Sequence, residues 1–161
     1  MERNSYLKLN STLSELNRVV EYIENICDQH NIYNSYYGNI VTGITEAFLN
    51  AVEHGNKNDS EKSITINFEV QNDGFAFCVS DEGNGFDINT IGDPTDINST
   101  NNEGRGIYLM KHLSDDMEFH NGGRTACMKF LISSINKEVA DSRVKKFNAY
   151  INQAINQNAN H

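Results

Sequence analysis

The segment from Ile40 to Lys57 constrains the fold most, because a helix there must bury one arc and present a polar column beside it. Ile40, Val41, Ile44, Phe48, Ala51 and Val52 recur at helical spacing and form the apolar arc. At about 3.6 residues per turn, Glu46, Asn50 and His54 stand nearly above one another on the adjoining side. Gly43 and Ala47 fall on that side too, which predicts room for a ligand to approach. A carboxylate, an amide and an imidazole in one column suit a metal and phosphate site. A solvated polar stripe is the default on an amphipathic helix, and this helix taken alone favours it.

The rest of the chain supplies the layers such a helix needs. Tyr6–Asn10 alternates like a short strand, and Ser11-Thr12 with Glu15 predicts a capping box opening a helix near Thr12. Leu13, Leu16, Val19, Val20, Ile23 and Ile26 keep helical spacing to about Cys27, and Asn31–Gly38 reads as a connection. Ser63–Val70 and Phe75–Val79 flank Asn72-Asp-Gly74, the pattern of a β-hairpin. Asp81–Gly106 is rich in Gly, Asn, Asp and Thr and holds the only proline, Pro94. A loop of that length inside a small domain is a ligand lid or a disordered segment, the latter expected for Ile88–Glu103 without a ligand. Gly106–Leu113 reads as a helix, and Met117–His120 with Cys127–Ile132 as a second hairpin around Asn121-Gly-Gly123. Beyond Asn136, Val144, Phe147, Ile151 and Ile155 predict an added amphipathic helix, which either packs over an apolar groove or contacts a partner. The expected division is residues 1–135 as one domain and 136–161 as a helical, polar tail.

Composition removes several classes of function. A chain of 161 residues, 38% hydrophobic, supports a single domain with a true core. A net charge of -9 with no concentrated basic patch argues against nucleic-acid binding. No apolar run approaches a membrane span and Met1–Tyr6 lacks the core of a signal peptide, so a cytoplasmic location without membrane contact is expected. Cys27, Cys78 and Cys127 are odd in number and far apart in sequence, and the expectation is three buried free thiols.

Two further motifs change the odds on the polar column. Asp81-Glu-Gly-Asn-Gly-Phe-Asp87 follows a strand directly, placing a carboxylate at the strand end with Gly83 and Gly85 where backbone must turn close to a neighbour. Such a carboxylate can accept a hydrogen bond from the exocyclic amine of adenine, although Asp-Gly turns of this kind are common. Glu103-Gly-Arg-Gly106 opens a helix, where unpaired N–H groups and the helix dipole favour an anion and Arg105 can reach a phosphate. Each motif is weak alone. Their order and spacing are what discriminate.

Taken together, Glu46–Lys57, Asp81–Gly85 and Gly104–Gly106 resemble the N, G1 and G2 boxes of the GHKL superfamily, whose members include gyrase, Hsp90, histidine kinases and MutL. Within it the chain most resembles the free-standing anti-sigma-factor serine kinases of the RsbW type, over about Tyr6 to Ile132. The resemblance implies an α+β, two-layer sandwich with helices on one face of a mixed, mainly antiparallel sheet, the Bergerat ATP-binding fold. ATP and Mg2+ would lie between the helices and the loop after Asp81.

Carried over by position, the resemblance makes Asn50 the Mg2+ ligand, Glu46 the general base or orienter of the attacking hydroxyl, and Asp81 the selector of adenine. Gly83 and Gly85 would let backbone approach the nucleotide, Gly104 and Gly106 would form the phosphate lid, and Arg105 would steady the terminal phosphate. His54 would be a phosphate neighbour and Thr125 a late polar member of the adenine pocket. The implied activity is serine/threonine phosphorylation of a STAS-type anti-sigma-factor antagonist by a protein that also binds a sigma factor, with homodimerisation suggested by the same resemblance. An ATP-occupied switch that sequesters its partner without phosphorylating it is the rival, and a small-ligand binding protein is the third reading. The long tail lies outside the pattern.

Overall fold

The computed structural model describes residues 2–32, 34–87, 89, 103–131, 145–153 and 155–156. Contacts divide the chain into Met1–Phe130 and Leu131–His161. In the second unit, residues 145–153 are helical, and Phe147, Tyr150 and Ile155 are more than half exposed.

The first unit begins with strand β1 (Asn4–Asn10), a 3-10 turn at Leu13–Glu15, and helix α1 (Leu16–Gln29). The expected capping box does not form, since Thr12 Oγ1 pairs with Ser14 Oγ at 2.8 Å and Glu15 with Arg18 at 2.9 Å. The α-helix therefore starts later than Thr12. Asn31, with φ of 51°, ends the segment, and Asn34–Gly38 is the first turn of α2 (Asn34–Asn50) instead of a connection. Helix α2 does not run on as an α-helix to Lys57. Residues Ala51–Gly55 form a π turn, closed by Asn56 N–H donating to the Ala51 carbonyl at 2.8 Å.

Strands β2 (Ser63–Gln71) and β3 (Gly74–Ser80) make the expected hairpin around Asn72-Asp73. Helix α3 spans Glu103–Leu113, three residues longer at its start than the apolar spacing indicated. Strands β4 (Asp116–His120) and β5 (Thr125–Leu131) complete a five-stranded sheet in the order β1-β2-β3-β5-β4. The pairs β1/β2, β2/β3 and β4/β5 are antiparallel. The central β3/β5 pair is antiparallel too, with Asp81 N–H donating to the Arg124 carbonyl at 2.9 Å past the strand ends and Ser80 Oγ against Thr125 Oγ1. The lid expected over Ile88–Glu103, with Pro94, lies outside the described residues except at Asn89 and the start of α3.

Strict alternation gives this sheet one apolar face. Leu9, Ile64, Ile66, Phe68, Phe77, Val79, Met128 and Phe130 are all buried, and the helices cover them with Val19, Ile23, Ile40, Ile44, Phe48 and Met110. Phe77 sits between Phe68, at 5.0 Å, and Phe130, edge-on at 6.2 Å. Each such fully buried side chain contributes about 1.5–3 kcal/mol of transfer free energy, so this face anchors the helical layer. Gly43 belongs to that packing: a side chain there would meet Met128 Sδ at 3.3 Å. Its missing side chain admits β5, so the expectation that it makes room for a ligand is corrected.

The cysteines depart from expectation as well. Cys78 and Cys127 form a disulfide between β3 and β5, and only Cys27 is free, buried, its thiol pushed up to about 11 by burial and then by Asp28 and Glu24. Separation in sequence is no barrier when antiparallel strands bring the positions opposite each other. The pair is half-buried, on the sheet face that alternation turns away from the helices.

Candidate functional site

A cavity opens where α2 and its π turn leave the sheet. Ala47, Asn50, His54 and Gly55 form its helical wall, and Val79 and Asp81 continue it at the exit of β3. Ile107 and Met110 of α3 close a second side, and Phe86, Phe119, Arg124 and Ala126 a third. Apolar walls with a few convergent polar groups are the usual composition of a small-molecule site.

The carboxylate end is fixed by close backbone approach. Asp81 Oδ1 accepts from Gly83 N–H at 2.8 Å. A side chain on Gly55 would collide with the Asp81 carboxylate, and one on Gly83 would collide with the Gly55 carbonyl. These two glycines thus allow α2 and the loop after β3 to touch. Burial raises the pKa of Asp81 above the usual carboxylate value, opposed by the Gly83 N–H and then by the charges of Arg124 and Lys62.

The other end lies under α3. The Cβ position of Gly106 is 2.9 Å from Asn50 Nδ2, 3.2 Å from Asn50 Oδ1 and 3.3 Å from Glu46 Oε2. Glycine in the first turn of α3 therefore seats that turn on the amide and carboxylate of α2. Arg105 is exposed and Gly104 buried in the same turn. The far wall is tied to the Asp81 loop, because Phe86 N–H donates to the Gly122 carbonyl at 3.0 Å and Phe86 packs edge-on against Phe119 at 5.2 Å.

Of the residues singled out from sequence, Asn50, His54, Asp81 and Gly85 line the cavity. Glu46 and Gly106 are beside Asn50 without lining it; Gly83, Gly104 and Arg105 also stand outside the lining. A side chain on Gly83 would meet the Gly55 carbonyl and one on Gly85 the Gly122 carbonyl, so both glycines also let the loop pack closely against its neighbours. His54 is exposed, and its Nε2 is 3.8 Å from Glu53 Oε2. The π turn removes it from the strict α-helical column, because i→i+5 spacing rotates the following residues off the Glu46–Asn50 line. Thr125 also stands outside the lining: its hydroxyl pairs with Ser80 Oγ at 3.0 Å and accepts from Asn121 Nδ2 at 3.1 Å.

Arg124, just ahead of β5, and Ala126 within it face the cavity, and the signal for them was present. Met128 and Phe130 are core residues, so a two-residue period places 126 and 124 with them and 125 on the opposite face. Phe86 and Phe119 gave no comparable signal, since their pairing depends on a loop meeting a strand.

Helices over one face of this sheet, with the cavity between them, define the class of the histidine kinase-like ATPase domains. The sequence matches that family over residues 9–130, and the chain belongs to it. Among curated proteins it is similar to the serine-protein kinase RsbW of Bacillus subtilis strain 168, 33% identical over 55% of this chain and 61% of that one. It is also similar to the serine-protein kinase RsbW of Bacillus licheniformis, 29% identical over 61% of this chain and 64% of that one. The chain thus spans a little under two thirds of the length of these relatives. A crystal structure of the RsbU and RsbW domains of a Mycobacterium tuberculosis protein shares the fold, with a TM-score of 0.60 and 19% identity over 81% of this chain and 32% of that one. Among the described residues no helix is long and apolar enough to cross a membrane.

Proposed function

We propose that this chain is an ATP- and Mg2+-dependent serine/threonine protein kinase that acts as an anti-sigma factor and phosphorylates a STAS-type antagonist of itself. The observation that carries this reading is that Asn50 and Asp81 line one cavity, with Glu46 beside Asn50 under the first turn of α3. Family membership and the similarity to proteins named as serine kinases support it.

In this reading the free oxygen of Asp81 accepts a hydrogen bond from the adenine amine, while Gly83 N–H holds the other oxygen. Val79, Ile107 and Met110 exclude water from the base. Asn50 would offer a neutral oxygen donor, which fits a magnesium ion that keeps some waters and shares phosphate oxygens. When bound, Mg2+ neutralises phosphate charge. Glu46 takes the proton of the attacking hydroxyl or orients it, Arg105 and the first-turn N–H groups of α3 receive phosphate charge, and His54 stands nearby. Sigma-factor binding, a homodimer and a role for residues 136–161 as a separate helical tail belong to the same proposal.

A radiolabelled ATP assay with a STAS-domain antagonist tests it. Glu46→Ala is expected to keep ATP binding and to lose transfer by about 100-fold or more, the range of a general base. Transfer surviving that change would remove Glu46 from the mechanism. The rival reading, an ATP-occupied switch without transfer, draws on the position of Glu46 outside the cavity lining, and the wild-type protein failing to label any antagonist would favour it.

A further inference from the structure

Behind the cavity, three residues close a ring of hydrogen bonds. Asn56 Nδ2 donates to the Ser63 carbonyl at 3.1 Å. Ser63 N–H donates to Glu82 Oε2 at 2.6 Å, reinforced by Ser63 Oγ at 3.1 Å. Glu82 N–H donates to Asn56 Oδ1 at 2.9 Å and completes the circuit. Asn56 is 1% exposed, and its backbone is engaged as well, N–H to the Ala51 carbonyl and carbonyl from Asp59 N–H. Three chain segments meet there: the end of the π turn, the start of β2 and the loop after β3.

The position of Glu82 gives the ring a consequence. Asp81 is the last residue of that loop whose N–H is held by the sheet, through the Arg124 carbonyl. The next N–H, of Glu82, is held by Asn56 instead. Asn56 therefore turns the chain away from the sheet and toward the end of α2, where Gly55 abuts the Asp81 carboxylate. A carboxylate tells an amine from a carbonyl on a purine only if its free oxygen is held at hydrogen-bond distance and angle. We infer that Asn56 is a positioning residue for purine selection, aiming Asp81 through Glu82 without touching the nucleotide. This rests on the reading of Asp81 as the adenine acceptor.

The test is calorimetric titration of ATP and of GTP, each with Mg2+, into wild type, Asn56→Ala, Asn56→Ser, Asn56→Asp, Glu82→Ala and Asp81→Asn. Asn56→Ala is expected to narrow the ATP-over-GTP affinity ratio about tenfold, mostly through weaker ATP binding, as loss of an aligned hydrogen bond to a charged group requires. Asn56→Asp keeps the acceptor for Glu82 N–H and should retain more of the ratio than Asn56→Ala. A purely structural role would weaken both nucleotides together and leave the ratio unchanged. Should Asn56→Ala fail to fold, Asn56→Ser decides, since it shortens the side chain away from Glu82 N–H while keeping a polar group in the buried position; Glu82→Ala, which leaves that N–H bond in place and breaks only the Ser63 side of the ring, should change the ratio less. A ratio unchanged in the folded ring variants but lost in Asp81→Asn overturns the role of Asn56 and leaves the adenine reading standing. A wild-type protein that binds ATP no better than GTP overturns both.

Discussion

Asp81→Asn changes a single functional atom at the point where the proposed base-reading contact is made. Asp81 Oδ1 is committed to Gly83 N–H at 2.8 Å, and asparagine can keep that bond through its own Oδ1. Its amide NH2 then occupies the place of the free carboxylate oxygen, so a donor faces the adenine amine where an acceptor stood. Losing a hydrogen bond to a charged acceptor costs about 1.5–3 kcal/mol, or roughly 10- to 150-fold in ATP affinity. Guanine presents a carbonyl where adenine presents its amine, so GTP binding should improve as ATP binding falls. Stability moves the opposite way. Burial raises the pKa of Asp81, which means that folding disfavours its ionised form. For a carboxyl whose folded value exceeds its unfolded one, stability is present below the unfolded value and lost as pH rises through the folded one. Asparagine carries no such cost, so the variant should be the more stable protein at pH 7, with its advantage shrinking as pH falls toward the unfolded value of 3.8. Calorimetric titration with both nucleotides and urea unfolding at several pH values measure the two arms. An ATP affinity within about threefold of wild type would refute the assigned contact.

In Gly106→Ala, the added methyl would lie 2.9 Å from Asn50 Nδ2 and 3.3 Å from Glu46 Oε2. Overpacking of about 1–3 kcal/mol is offset by up to about 1 kcal/mol of helix propensity, so the melting temperature should fall slightly while ATP turnover falls strongly. Reduction of Cys78–Cys127, which are 49 residues apart, should cost up to about 4 kcal/mol by the loop-entropy estimate, read as a lower urea midpoint in the presence of a phosphine reductant. An unchanged midpoint would mean that the bond is absent in solution. The carboxylate of Glu82 is held below its usual range, first by Ser63 N–H and then by Ser63 Oγ. Its contribution is present above the unfolded value of 4.5 and lost as pH falls through the lower folded value, so Glu82→Gln should flatten the acid limb of the stability curve.

How much was legible in the sequence depended on whether position followed from a local period. The β2–β3 hairpin, the buried arc of α2 and the pairing of Ile64, Ile66 and Phe68 on one face follow from spacing alone, and the structure has them. Asn50, His54 and Asp81 were found because their motifs kept order along the chain, and they line one cavity. Thr125 was placed by resemblance alone, and the strand period of Met128 and Phe130 sets it on the opposite face from Ala126, with its hydroxyl on Ser80. The disulfide failed because strand neighbours are a tertiary fact, and the β5-next-to-β3 order is fixed only when the second hairpin docks. Gly43 failed for the same reason, since a small residue beside a polar column admits a ligand or a strand equally well, and here β5 takes the space.

The π turn is the feature least visible in sequence and the one on which the site geometry most depends. An α-helix continued through Ala51–Gly55 would place its residues one per 100° or so, carrying Gly55 and Asn56 around the axis at the regular pitch. The wider i→i+5 turn holds one more residue before the chain exits, and Asn56 N–H closes it on the Ala51 carbonyl. Two consecutive residues then meet two consecutive residues of the loop after β3, Gly55 against Asp81 and Asn56 against Glu82. The first contact sets how close the carboxylate can lie to the helix, and the second sets the direction in which the loop leaves the sheet. Restoring the regular pitch would break one contact or the other. The irregular turn is thus the structural condition for a helix that supplies Asn50 to one end of the cavity and fixes Asp81 at the other.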